Sequence, residues 1–191
     1  MQANNTASRN NIRVFGTLTI MTAAAMFTAL SIVFGKFIAL QITPTLRVGF
    51  ESLPIAMASI FLGPVVGAAS AFVADIVGCI LKGYSINPLI TAGMVCVGFF
   101  PGFLYHMIFK KIRAEEKLNW VRIFISVFIA YAIGSMLLKT IGLSLQNGMP
   151  MQTIFIRIIK ETVLAIIDTT VIWLFMQNKG FMKELGRVTK R

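Results

Sequence analysis

Charge is what this sequence has least of. Only 13% of its 191 residues are Asp, Glu, Lys or Arg, where a soluble domain carries about 25%. Hydrophobic residues make up 57% and the mean hydropathy is +0.80, so a soluble globular reading is excluded. Acidic residues are scarcest, seven against 18 Lys and Arg, for a formal net charge of +11. In a soluble protein that excess would raise nucleic-acid binding. Here the cations cluster between apolar runs, and no nucleic-acid partner is expected. Histidine occurs once, at His106, and the two cysteines, Cys79 and Cys96, fall within apolar spans as small buried hydrophobes. No metal-ligand spacing is present, so no metal site is expected. A membrane enzyme would need a metal cluster or a nucleophile–base pair; the lone His106, near a helix end, reads as an interfacial packing residue. The phosphate-cradling pattern GxxxxGK[ST] is absent too. No enzyme activity and no bound cofactor are expected.

What fills the sequence instead is a series of apolar runs, which predict an all-α integral membrane protein of six transmembrane helices. Their expected limits are 15–38, 50–62, 65–81, 88–109, 121–143 and 153–177, with the two in the middle hairpin near the lower length for a span. Twelve of the 18 cations lie in three segments: Arg9 and Arg13; Lys110 to Arg122; and Lys179 to Arg191. Six helices put all three segments on one side, cytoplasmic by the positive-inside rule. The expectation is therefore a single membrane domain, 1–191, multi-pass in the lipid bilayer of the cell membrane. It divides into a polar cytoplasmic leader (1–14), a bundle (15–177) and a basic cytoplasmic tail (178–191). The first apolar run is too long for a signal-peptide core. Within it Ala25 and Ala29 have the small-xxx-small spacing that admits a second helix at close range, whether from within this chain or from another. Pro101 should kink the fourth helix unless neighbours satisfy the carbonyl it frees.

The stretch 47–88 organises the rest. Gly63-Pro64 ends one short helix and starts the next, and small residues at Gly67, Ala68, Ala71, Ala74 and Gly78 allow close helix packing. A carboxylate, Asp75, sits inside this apolar hairpin and Arg47 opens it. Ionisable groups in hydrocarbon are functional candidates by default. Six cations fall outside the cytoplasmic segments, all toward the outer side. Lys36, Lys82 and Lys139 lie near helix ends and read as snorkelling side chains. Arg157 and Lys160 lie deeper. With Glu161, Leu164 and Asp168 they form a stripe at i, i+3, i+4, i+7 and i+11 on the last helix, which should face the bundle interior. Two arrangements remain open: internal pairing, as in Asp75–Lys160 or Arg157–Glu161, or an outward-open, net-basic pocket for an anionic small molecule. In the pocket reading a carboxylate such as Asp75 or Glu161 would accept hydrogen bonds from an amino-substituted ring. Phe50, Phe99, Tyr84 and Trp173 would offer stacking faces.

The run from Arg47 to Pro54 (RxxxxxxP), then GPxxG at Gly63–Gly67, then ADxxG at Ala74–Gly78, resembles the folate-family S components of energy-coupling factor (ECF) vitamin transporters. The RxxK of Arg157 and Lys160 also resembles that group. Two departures stand out: Ile166 and Asp168 occupy places where the family often has proline and asparagine, and the loop 82–88 is short. The resemblance implies a high-affinity substrate-capture subunit for a folate-like anion, working in a bacterial plasma membrane. It implies an ECF transmembrane coupling subunit and two ATPase subunits as partners, the ATP being used by the latter. Arg47, Arg157 and Lys160 would hold the ligand's carboxylate end, with Asp75, Glu161, Tyr84 and Asn87 around its ring. Ala25 and Ala29 would dock on the coupling subunit. The alternatives are an S component for another vitamin or a purine-like compound, and a non-transport membrane scaffold subunit, which would not need Arg157 and Lys160 inside a helix.

Overall fold

A computed structural model describes the backbone of residues 3–41, 47–107, 116–147, 151–180 and 183. Side chains are described for 18–39, 48–107, 120–145, 154–180 and 183. The elements are α1 (Ala3–Ile32) with a π-helical extension (Val33–Phe37), α2 (Ser52–Leu62), α3 (Pro64–Lys82) and α4 (Pro88–Met107). There follow α5 (Glu116–Tyr131), a second π segment (Ala132–Lys139), α6 (Thr140–Asn147) and α7 (Met151–Gln177). Since α5, the second π segment and α6 are contiguous, the described residues make six helical rods, as expected. By length and composition four stretches are able to cross a membrane: Leu18–Phe37, Pro64–Lys82, Pro88–Met107 and Trp120–Leu145. The 27-residue α7 is not among them, because of the ionisable residues it carries; α2, at 11 residues, is shorter than a span.

α2 is the hub. Ser52 and every residue from Pro54 to Phe61 are buried, and the helix packs against α1, α3, α4 and α7. A helix apolar on all sides is a core helix, and this one is walled off by its neighbours. Ala56, Met57, Ile60 and Phe61 meet Val97, Ile123, Val127 and Ile172 in the main core. The α2–α3 break falls where the sequence placed it. Gly63, at φ +111°, adopts a backbone that a side chain would strain, and Pro64 opens α3. α3 ends on Gly83 at φ +67°, whose N–H and that of Tyr84 bond back to Ile80 and Cys79, a left-handed glycine cap.

Glycines bring the rods together. A methyl group at Gly67 would collide with the Gly98 carbonyl oxygen, and one at Gly98 with that of Gly67, so α3 and α4 touch backbone to backbone. Gly93 and Gly134 form a second such pair between α4 and the second π segment. Pro101 does not break α4. Ser59 of α2 accepts a hydrogen bond from the Gly102 N–H (2.8 Å) and donates to the Phe99 carbonyl (3.4 Å). A neighbouring hydroxyl thus satisfies the backbone beside the proline, as membrane helices require.

Several limits differ from expectation. α1 is helical from Ala3 rather than from 15: no proline interrupts the leader, so helix propagates backward from the apolar nucleus at little cost. The loop 39–49 contains a two-residue antiparallel ladder, Leu40–Gln41 with Arg47–Val48, too short to show a period of two in sequence. The fifth rod extends over Glu116–Asn147 rather than 121–143, and α7 starts at Met151. Residues 108–115 and 148–150, parts of two expected loops, lie outside the described residues, as does most of the tail.

Candidate functional site

α7 is polar on the inside and apolar on the outside. Phe155, Ile156, Ile159 and Val163 are exposed, while Arg157, Glu161, Leu164 and Asp168 are buried. Those four and Lys160 all line one cavity of about 280 Å³, so the whole predicted stripe lines it. That volume suits a small organic ligand. Its other walls come from the start of α2, the α3 face carrying Asp75, the 83–87 loop and the two π segments.

Of the seven sequence-predicted ligand residues, Asp75, Tyr84, Asn87, Arg157, Lys160 and Glu161 are brought together here. The seventh, Arg47, pairs through its backbone with Gln41 in the ladder, and its side chain lies outside the described residues. Asp75 accepts a hydrogen bond from the Thr91 hydroxyl at 2.7 Å, rather than pairing with Lys160. Lys160 instead contacts its sequence neighbour Glu161 at 2.8 Å. The Asn87 amide is committed to structure: its oxygen caps the Leu89 N–H and its nitrogen donates to the Gly142 carbonyl, fixing the 83–87 loop against α6. Tyr84 is exposed at the rim.

The described lining of the cavity is less basic than the net-basic pocket expected. Among the described residues it is lined by Lys36, Lys139, Arg157 and Lys160 against Glu51, Asp75, Glu161 and Asp168, four basic and four acidic side chains. The aromatic expectation narrows as well. Tyr84 lines the cavity, whereas Phe99 stacks on Phe103 (centroids 5.3 Å apart), Trp173 packs on the core and Phe50 is exposed.

Two of the three lysines assigned to snorkelling belong to the site. Lys139 is only 6% exposed and contacts Glu51 at 3.4 Å. Lys36 runs its stem over Gly78 and holds its ammonium 5.7 Å from the Tyr84 ring. Both sit in π segments, where the widened turn resets the direction of side chains; α-helical spacing aims them differently. Lys82 remains exposed, over the Phe37 ring at 4.8 Å. Behind the cavity wall the buried Tyr131 hydroxyl donates to Asp168 and also hydrogen-bonds Ser52, both of which line the cavity. The sequence signalled Asp168 through the stripe but gave no sign of Tyr131. His106 bonds the Ile60 carbonyl at 2.9 Å, tying α4 to the end of α2. Among the described residues no group of three His, Cys, Asp or Glu is placed to hold a metal ion.

On α1, Ala25 and Ala29 are exposed, on the same side as Met26 and Leu30, while Thr28 and Ser31 are buried. Among the described residues nothing covers the alanine pair enough to bury it.

This architecture has counterparts. The "Folate transporter FolT" of Clostridium novyi (strain NT) is 25% identical over 182 residues, covering 90% of this chain and 97% of that one. The crystal structure of FolT bound with folic acid superposes with a TM-score of 0.66 at 22% identity, covering 83% of this chain and 92% of that one; it shares the fold. The family model of the ECF-type riboflavin transporter, S component, matches residues 16–177. Its members are transport subunits in membranes, not enzymes. By that match over most of its length, the chain belongs to the ECF-type riboflavin transporter S-component family.

Proposed function

We propose that this chain captures folate, or a closely similar anionic vitamin, and hands it to an ECF transporter. The observation that carries the ligand is the cavity itself. Arg157 and Lys160 line it from inside a helix that must otherwise sit among apolar groups. Cations are kept at such depth only for a partner, and folate brings two carboxylates where riboflavin is uncharged. Arginine meets a carboxylate with a planar fork and lysine with a point charge. In this reading Arg157, Lys160 and Arg47 hold the carboxylate end, Asp75 and Glu161 accept N–H donors from the ring, and Tyr84 and Asn87 close the mouth. The likeness to the Clostridium novyi folate transporter supports the same ligand. The description of the matching family supports a second reading, riboflavin.

Family membership supports the remaining assignments of the proposal. Ala25 and Ala29 form the surface for the transmembrane coupling subunit, two ATPase subunits use the ATP, and both termini face the cytoplasm of a bacterial cell. The chain acts as one membrane domain, 1–191, whose cavity opens outward.

Substituting Arg157 and Lys160 with glutamine tests the reading. Folate binding to the purified protein should fall by at least about tenfold for each, since a hydrogen bond to a charged group contributes roughly 1.5–3 kcal/mol. Unchanged folate binding in both variants would leave the cations without a ligand role and favour the uncharged vitamin.

A further inference from the structure

Three ionisable side chains lining the cavity each rest on a glycine of a neighbouring element. The Glu51 side chain lies against Gly35, in the first π segment, where a methyl group would come within 2.5 Å of its carboxylate. The Lys36 stem lies against Gly78 of α3. The Lys139 stem lies against Gly93 of α4, where a methyl group would come within 2.8 Å of its Cγ. Among them Glu51 and Lys139 form an ion pair across the cavity wall, at 3.4 Å. Glu51 also anchors α1 through its carbonyl, which accepts the Ser31 hydroxyl at 2.7 Å. Lys139 has the Met94 sulfur at 3.2 Å as its other contact, a weak acceptor. Its strong partner here is therefore a carboxylate that keeps 23% of its side chain open.

From this geometry we infer that Lys139 is a ligand-binding cation and Glu51 its built-in substitute anion, displaced when a carboxylate of the ligand enters. The inference rests on the anionic-ligand reading above. Lys139 is buried and needs a counter-charge at all times. In this structure Glu51 supplies it. A ligand carboxylate arriving at the same ammonium meets Glu51 as a like charge at close range, which cannot be held in a partly dry site. The partly open Glu51 then turns outward, while Lys139 stays where Gly93 and the π segment hold it. Glu51 thus lowers affinity for the ligand, and Lys139 raises it. The device also discriminates: an uncharged molecule cannot take over the lysine and must leave the pair closed.

The test is a double-mutant cycle on the full chain in detergent, with folate as one probe and pterin, the ring without carboxylates, as the other. Glu51→Gln should bind folate roughly fivefold tighter or better, and Lys139→Gln about tenfold weaker or worse; in the double variant the Glu51 effect should vanish, the signature of coupled residues. Pterin binding should change little in any of them. Lys139→Arg should keep most folate affinity, which guards against a variant that merely misfolds. Glu51→Gln weakening folate as Lys139→Gln does would overturn the competition and make Glu51 a supporting residue. Equal losses for pterin and folate would overturn it too, by showing a structural role. Wild-type protein that takes riboflavin and not folate would overturn the anionic-ligand reading itself and the inference with it, an outcome distinct from the other two.

Discussion

Among the described residues, four ionisable groups at the cavity each lie beside a group that answers them. Asp75 has Thr91, Glu51 has Lys139, Lys160 has Glu161 and Asp168 has Tyr131. Removing an answering group should then cost more than the contact it made, because the remaining partner stays buried. For Tyr131→Phe the loss should be about 1–3 kcal/mol of stability, seen as a lower thermal-unfolding midpoint in detergent. A midpoint unchanged from wild type would mean that Asp168 finds another partner. The α7 stripe was legible in the sequence because four ionisable residues repeat at helical spacing among isoleucines. Lys36 and Lys139 were not. Their placement depends on π turns that no sequence period announces, and a lysine near a helix end has an ordinary alternative in snorkelling. Tyr131 was silent, as one aromatic among many in an apolar run.

At the scale of elements, glycine and serine decide how the rods meet. The Gly67–Gly98 contact leaves no room for a methyl group between α3 and α4. Gly98→Ala should force the two helices apart and destabilise by about 1–3 kcal/mol, the usual cost of overpacking. Thermal unfolding in detergent would measure this, and an unshifted midpoint would show that the helices slide freely. Ser59→Ala should cost a similar amount, about 1–3 kcal/mol, by leaving the Gly102 N–H without its acceptor in the core. The small residues, the Gly63-Pro64 break and the Pro88 start were readable because each has a local backbone meaning. The burial of α2 on every side was not, since a short apolar helix looks the same whether lipid or protein surrounds it. The Leu40–Gln41 ladder was equally unreadable, being set by tertiary closure of a loop rather than by its residues.

For the whole molecule, the fold separates two jobs. Its interior holds the acidic and basic side chains around the cavity, and α1 carries Ala25 and Ala29 exposed among the described residues. Replacing both alanines with leucine should leave ligand binding as in wild type and prevent co-purification with the coupling subunit, because bulky side chains keep helices from close approach. Loss of ligand binding in that variant would instead make the α1 face part of the bundle's own stability. Six helices and the membrane setting were accessible from composition and spacing, and the transport class from the resemblance of the motifs between Arg47 and Gly78 to ECF S components. The charge balance of the cavity was not, because Glu51, Lys36 and Lys139 join it only through the packing of the helices. The most direct measurement is calorimetric titration of the purified wild-type chain with folate and with riboflavin, without ATP or partner subunits. The account predicts tight, saturable folate binding and much weaker riboflavin binding. Tight riboflavin binding with no heat from folate would contradict it.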